Sequence, residues 1–349
     1  MKTYRENMDE LRFTEQEKEE MVDRLLEGGG SRRKGLGLRR AAVAVAAAAV
    51  LTVGAGAAVV LTPAGEVFAS VLGGAPAQTE ILDWMGVPVG ASDTHNGVTI
   101  TADAIIGDAY SYAVVYSIAR EDGQPLAEDL EPLGNGVLPL TFDRADTSVG
   151  VIGGAHGSAY FYDADPSEPS IQYVEKTTSD VPLEPGTATA TFRNLYLMGK
   201  EFQDNIPVAE GNWKIRFQFS FPDSSVRLPG GQTFQLNGME AVLDGVTISP
   251  LSIQVDYTVK EELVWDHQSQ ENGRESGHDR EQSHRFFESL SLSLNLTDGS
   301  TVDLTGMGGS IDTETGRTVC RKGGVFEEIL DLSTVESVTV AGITLPVTP

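Results

Sequence analysis

The chain has one cysteine, Cys320, among 349 residues, so no disulfide can close within it. Extracellular eukaryotic domains of this size usually carry several, and disulfide-free outer domains fit a bacterial surface better. Catalytic motifs are also missing. There is no G-x-S-x-G, no H-E-x-x-H, no G-x-x-x-x-G-K-[ST] and no C-x-x-C, which removes the commonest routes to a serine nucleophile, a zinc peptidase, a phosphate cradle and a redox thiol. No EF-hand loop is present either. His267, His278 and His284 share one polar stretch with Asp266, Glu271 and Asp279. Their spacing matches no zinc finger or zincin, and Asp266 to Ser283 reads as a solvated loop between strands. No catalytic residue, cofactor or metal ligand is assigned, and an enzyme is not expected.

Basic residues are scarce as well: 25 Lys and Arg stand against 51 Asp and Glu, a net charge of −26. Residues 1–40 hold 10 of the basic and 9 of the acidic residues, which leaves 15 and 42 for everything beyond, net −27. No Lys or Arg occurs between Arg40 and Arg120. Within that gap lies the longest uncharged run, Ala41 to Thr62, which is mostly Ala and Val. As a helix rising about 1.5 Å per residue it would span the ~30 Å hydrocarbon core of a bilayer. Arg32, Arg33, Lys34, Arg39 and Arg40 precede it, so the positive-inside rule places residues 1–40 in the cytoplasm and the C-terminal region outside. A cleaved signal peptide is the competing reading, but its apolar core is typically ~7–15 residues behind a short basic start. A buried Ala-rich core helix is a further alternative. The basic run Arg32 to Arg40 suits anionic lipid headgroups; no direct nucleic-acid binding is expected.

Residues 1–40 are too few to bury a core alone. Thr14-Glu15-Gln16-Glu17 fits a capping box. Met21, Val22, Leu25 and Leu26 follow at helical spacing as one apolar stripe, and Gly28-Gly29-Gly30 ends the helix. A lone amphipathic helix with no partner in its own segment reads as a contact face for a cytoplasmic protein, with Met21, Val22, Leu25 and Leu26 as the partner-binding residues. A frayed or membrane-lying helix is the plainer alternative.

Beyond the run, residues 63–91 form a juxtamembrane segment. Val67, Phe68, Val71 and Leu72, then Ile81, Leu82, Trp84 and Met85, are expected to pack on the first outer domain; the membrane interface is the competing place for Trp84. From Asn96 the period changes to two. Tyr110, Tyr112, Val114, Tyr116 and Ile118 alternate with smaller residues. Trp213, Ile215, Phe217, Phe219 and Phe221 alternate with polar ones. Leu290, Leu292, Leu294 and Leu296 alternate with Ser and Asn before a hairpin turn at Asp298-Gly299. The last strand is expected over Ser337 to Leu345. Asn96-Gly97-Val98-Thr99-Ile100 recurs as Asp244-Gly245-Val246-Thr247-Ile248, a weak repeat that suggests two copies of one domain. The expectation is a mainly β chain: two tandem Ig-like β-sandwich ectodomains, residues 92–222 and 232–349, behind one transmembrane α-helix (41–62) and a short cytoplasmic helix with its basic tether (1–40).

This layout resembles an uncharacterised family of bacterial single-pass membrane proteins described as regulators, or anti-sigma factors, of extracytoplasmic-function sigma factors. The resemblance rests on Phe13-Thr14 and Met21 to Leu26, on the apolar run, and on Asn96 to Ile100 continuing through Asp108 to Tyr116-Ser117-Ile118. It implies a cytoplasmic sigma factor as partner, a bilayer around the helix, an Ig-like second outer domain, and an unidentified envelope ligand outside. Zinc-binding anti-sigma domains use a longer cytoplasmic helical domain with His and Cys ligands, which residues 1–40 lack. A surface-displayed β-sandwich module that binds cell wall or another surface protein, with no cytoplasmic role, is the alternative.

Overall fold

The computed structural model describes residues 61–127, 130–150, 153–199, 205–266 and 276–348. It is mainly β, and every paired strand in it is antiparallel. Most of the expected membrane run and all of the Met21–Leu26 stripe lie outside the described residues.

The first sandwich has eight strands: β1 (Gly86–His95), β2 (Val98–Gly107), β3 (Ser111–Arg120), β4 (Leu140–Ser148), β5 (Ala155–Tyr162), β6 (Ile171–Ser179), β7 (Gly186–Leu197) and β8 (Ile206–Phe219). One sheet runs β1-β2-β3-β6-β5 and the other β4-β7-β8. Strict alternation in β8 puts Trp213, Ile215, Phe217 and Phe219 inside and Lys214, Arg216 and Gln218 in water. Those rings meet Val98, Ile100, Tyr112, Val114, Tyr116 and Ile118 from the facing sheet, with Phe192 on β7. The Trp213 indole N–H, which must find an acceptor once buried, donates to the Val98 carbonyl at 2.9 Å.

The second sandwich has ten: β9 (Val226–Pro229), β10 (Thr233–Leu236), β11 (Met239–Ile248), β12 (Ser252–Val259), β13 (Leu292–Leu296), β14 (Thr301–Asp303), β15 (Gly309–Glu314), β16 (Arg317–Val325), β17 (Val335–Val340) and β18 (Ile343–Pro346). Its sheets are β10-β11-β12-β16-β15, with β9 on the other half of β11, and β14-β13-β17-β18. Residues 223–231, which fall between the two expected domains, therefore contain a strand of the second sandwich. Three consecutive strands share one sheet in each sandwich, whereas an immunoglobulin constant domain puts its third strand in the opposite sheet; the strand order here is its own. The expected single strand Ser337 to Leu345 is a hairpin, because Ala341 and Gly342 both take positive φ (47° and 83°), the geometry of a tight turn. The Asp298-Gly299 hairpin forms where expected, joining β13 to β14.

The two sandwiches wind identically. The order β1-β2-β3-β6-β5 matches β10-β11-β12-β16-β15, and β4-β7-β8 matches β13-β17-β18. The repeat is in a different register from the pentapeptide match. The structural counterpart of the Asn96-Gly97 turn is Asn237-Gly238, with φ of 49° and 76° against 50° and 83°. Asp244-Gly245 instead falls at a β-bulge of β11, the counterpart of the bulge around Asp103 in β2. Each bulge aspartate takes a hydroxyl from the neighbouring strand: Ser117 donates to Asp103 at 2.5 Å and Thr258 to Asp244 at 2.7 Å. In that register Tyr116 pairs with Tyr257, and both are fully buried.

The alternation expected in β3 is incomplete. Ser111 to Tyr116 are buried on both faces. The outer face, with Ala104, Ile106, Ala113, Val115 and Val174, is covered by two helices and by Leu251 and Ile329 of the second sandwich. The helices are α1 (Ala64–Leu72) and α2 (Pro76–Met85). Ala64, Phe68, Val71 and Leu72 give α1 one apolar stripe, and Leu82 and Met85 face it from α2. Strand β1 starts at Gly86, so the segment taken as juxtamembrane already enters the first sheet.

Burial in this bulge pushes the Asp103 carboxyl up to about 6, against the lowering hydrogen bond from Ser117. The folded chain thus holds that proton more tightly than the unfolded chain, whose aspartates titrate near 3.8. The stabilisation is full below about pH 4 and is lost as pH rises through about 6. Asp103→Asn keeps the acceptor and cannot ionise. In urea unfolding, the stability of this variant relative to wild type should rise by about 1–2 kcal/mol between pH 4 and 7, allowing for partial solvent access. Parallel pH profiles for the two proteins would show that Asp103 carries no such strain.

Candidate functional site

The candidate groups begin with the histidine-bearing stretch. The chain from Gly277 is a helix, α3 (Gly277–Ser283), that continues as a π-turn over His284–Glu288; His267 and Glu271 lie outside the described residues. Over 277–283 the expected loop is instead a helix, which Ser276 caps through the Asp279 N–H at 3.0 Å; beyond it the π-turn sends Phe286 and Phe287 into the core. The His278 Nε2 lies 2.9 Å from the Val264 carbonyl, and His284 lies 3.5 Å from Glu288. Asp279 accepts from the Asp266 N–H at 2.8 Å. Among the described residues no group of three or more His, Cys, Asp or Glu is placed to hold a metal ion.

Three buried polar side chains close that π-turn. Helix ends leave carbonyls without partners. The Phe286 carbonyl accepts the Tyr257 hydroxyl at 2.9 Å and the Cys320 thiol at 3.8 Å, while the Lys322 ammonium reaches the Phe287 and Glu288 carbonyls at 3.2 and 3.4 Å. Burial pushes the Cys320 thiol up to about 12 and the Lys322 ammonium down to about 8, the latter despite Glu288 and Asp303 nearby. A thiol so far from its thiolate is not a nucleophile. Both groups hold structure.

In the first sandwich a parallel network lies between the sheets. The Tyr116 hydroxyl lies 2.7 Å from the Thr147 hydroxyl, which donates to Glu175 at 2.6 Å; the Tyr112 hydroxyl donates to the Thr147 carbonyl at 2.8 Å. Burial raises the Glu175 carboxyl pKa, with Asp146 adding to the rise. This cluster ties β4 to the larger sheet. A shallow recess of about 540 Å³ lies at the opposite end, lined by Asn96, Gly97, Arg120, Asp122, Val208 and Glu210 among others. Its one cation, Arg120, is already held by Asp122 at 2.5 Å, so the recess offers no uncommitted cation to an anionic ligand.

The most developed arrangement is the seam between the sandwiches, which belong to one compact unit. Asp108, 4% exposed, follows β2. Its Oδ1 accepts the N–H groups of Tyr110 (2.9 Å) and Ser111 (2.7 Å), a turn that folds the chain back into β3. Its Oδ2 accepts the hydroxyls of Ser249 and, at 2.6 Å, Ser252, both from the β11–β12 turn of the second sandwich. Ser249 Oγ in turn accepts the Leu251 and Ser252 N–H groups at 3.0 and 2.9 Å. In the repeat register Asp108 corresponds to Ser249, so two equivalent turns meet head to head. Further out, the Ile329 N–H donates to the Leu72 carbonyl at 2.8 Å and Ser310 to Asp180 at 2.8 Å. His156 donates from Nε2 to the Gly323 carbonyl at 3.1 Å. The Lys176 ammonium, its pKa lowered by burial, lies 3.4 Å from the Phe326 carbonyl. Gly323 must be glycine because a Cβ there would fall 1.9 Å from the Ile253 carbonyl.

No known family profile and no curated protein matches the chain. Among solved structures it is similar to the crystal structure of the conserved domain protein from Bacillus anthracis, with a TM-score of 0.46 and 15% identity over 74% of this chain and 78% of that one. That likeness assigns no activity.

The seam is open to direct test. Asp108→Ala strands two hydroxyls and two N–H donors in a buried place, a loss of roughly 2–4 kcal/mol. Calorimetry should then show the single unfolding transition splitting into two, because each sandwich retains its own core. One unshifted transition would show that the Asp108 hydrogen bonds do not hold the sandwiches together.

Proposed function

We propose that the chain is a single-pass membrane protein of a bacterial cell surface that acts as a transmembrane regulator, anti-sigma-factor-like in its logic. Residues 1–40 would be cytoplasmic, and two tandem sandwiches, Ig-like in having two packed antiparallel sheets, would lie outside. The observation that carries this reading is the uncharged run Ala41 to Thr62, with five basic residues in the nine before it and no Lys or Arg after it until Arg120. No helix among the described residues is long and apolar enough to cross a membrane. The stripe Met21, Val22, Leu25 and Leu26 would hold a sigma factor, and the outer body would respond to an envelope ligand. The polar seam supports this role, because it joins both sandwiches to α1 and α2, which follow the run directly.

Cross-linking the intact protein in native membranes through a tag on residue 1 tests the reading. Mass spectrometry should find a sigma factor, and Leu25→Asp with Leu26→Asp should cut its capture at least tenfold. Capture of envelope proteins or wall material alone, with function intact after deletion of residues 6–28, would favour the surface-displayed module instead.

A further inference from the structure

Trp84 is 55% exposed, although its neighbours on α2, Leu82 and Met85, are fully buried. Those two contacts fix the rotation of the helix, so the indole faces outward by the phase of α2 and not through loose packing. Ala77, Ile81 and Trp84 stand at i, i+4 and i+7 on one face; Ala77 is exposed and Ile81 half-buried. An indole with one apolar body and one N–H is the side chain best suited to a boundary between hydrocarbon and water.

The position of this face relative to the start of α1 is tightly constrained. Asp83 accepts the Gly65 N–H at 2.6 Å, which clamps the residue beside Trp84 to the first turn of α1. A Cβ on Gly86 would fall 2.5 Å from the Ala64 methyl, so the end of α2 and the start of α1 touch. Ala64 follows Thr62 by two residues, a reach of at most ~7 Å. The headgroup layer beyond the hydrocarbon is roughly 5–8 Å thick on each side. A span that ends at Thr62 therefore puts the α1–α2 junction at headgroup depth.

We propose that Trp84 sits in the lipid headgroup layer and docks the α1–α2 pair against the bilayer, so that the double sandwich stands directly on the membrane. This rests on the reading of Ala41 to Thr62 as the span. The surface it fits is zwitterionic: Glu66, Glu80 and Asp83 border the site and no Lys or Arg lies near in sequence, so the ring and not charge makes the contact.

The chain has three tryptophans, Trp84, Trp213 and Trp265, of which Trp213 is buried. The full chain in phosphatidylcholine vesicles with brominated acyl chains should lose up to about a third of its tryptophan emission relative to unbrominated vesicles, one ring of three. Trp84→Phe, at an exposed position, should abolish the loss. Protein that resists alkaline carbonate extraction yet shows no quenching, or equal quenching in Trp84→Phe, would overturn the docking while leaving the span intact. Release by carbonate would overturn the span, and the docking with it.

Discussion

The first sheet of this protein has two apolar faces, and the remaining architecture follows from the need to cover both. A sheet exposes one side unless something is laid on it. Strand β3 is buried from Ser111 to Tyr116 without a break, so neither side can meet water. The inner side is closed by β4, β7 and β8. The outer side is lined by small and branched residues, Ala104, Ala113, Val115 and Val174. Their low profile lets helices and a neighbouring turn approach closely. The α1–α2 pair takes one part of this surface and the second sandwich another, through Leu251 and Ile329. The seam is therefore a shared wall of the first sandwich's own structure.

The duplicated topology shows which positions are tied to the winding and which are free to diverge. Both copies keep an Asn-Gly turn with positive φ at each residue, an aspartate at the bulge of the next strand, a hydroxyl to meet it, and a buried tyrosine one position before that hydroxyl. These set register, and a slip of one residue would turn every side chain to the wrong face. Between the sheets the copies differ. Val114 pairs with Glu175, and its counterpart Val255 with Lys322. The same place thus holds an acid in one copy and a base in the other. Each is matched to what lies opposite: Glu175 accepts from Thr147, whereas Lys322 donates to the carbonyls of the π-turn that the second copy inserts between β12 and β13. Perturbed titration alone would flag both as active-site candidates; their partners identify them as structural.

Legibility in the sequence tracks locality. Strand β8 and the serine-spaced leucines of β13 were readable because each has one wet face, which stamps a period of two on the chain. The Asp298-Gly299 turn carries its own conformational preference. Strand β3 carries the same period of two, yet both its faces are covered from Ser111 to Tyr116, because its second cover arrives in part from residues far along the chain. The hairpin at Ala341-Gly342 was missed because alanine gives no signal for positive φ. The letter match falls seven residues past the structural repeat because Gly245-Val246-Thr247-Ile248 copies Gly97-Val98-Thr99-Ile100 while Asp244-Gly245 occupies a bulge. Asp108 lies in the segment that carries the family resemblance, but nothing local marks its part in the seam: its turn is local, and the two serines that complete it belong to the other sandwich. The stripe Met21, Val22, Leu25 and Leu26 falls outside the described residues and stands on the sequence alone.

How such a body could pass a signal is constrained by how it is fastened. Coupling between distant sites needs an element with two discrete arrangements or a body stiff enough to move as one. Within the seam, Asp108 meets four donors on one carboxylate. Sliding the sandwiches by even a few ångströms would leave the two donors that cross the seam, the Ser249 and Ser252 hydroxyls, without Asp108, at a cost of about 1–3 kcal/mol each. A gradual hinge at this point is disfavoured relative to rigid-body motion. In the single-pass reading, a ligand on either sandwich therefore acts by reorienting the whole body, α1 and α2 included, against the bilayer. The relevant change is then at the helix pair where the chain meets the bilayer, not inside the sandwiches, and no ligand pocket near the membrane is needed for the outside to act on the inside.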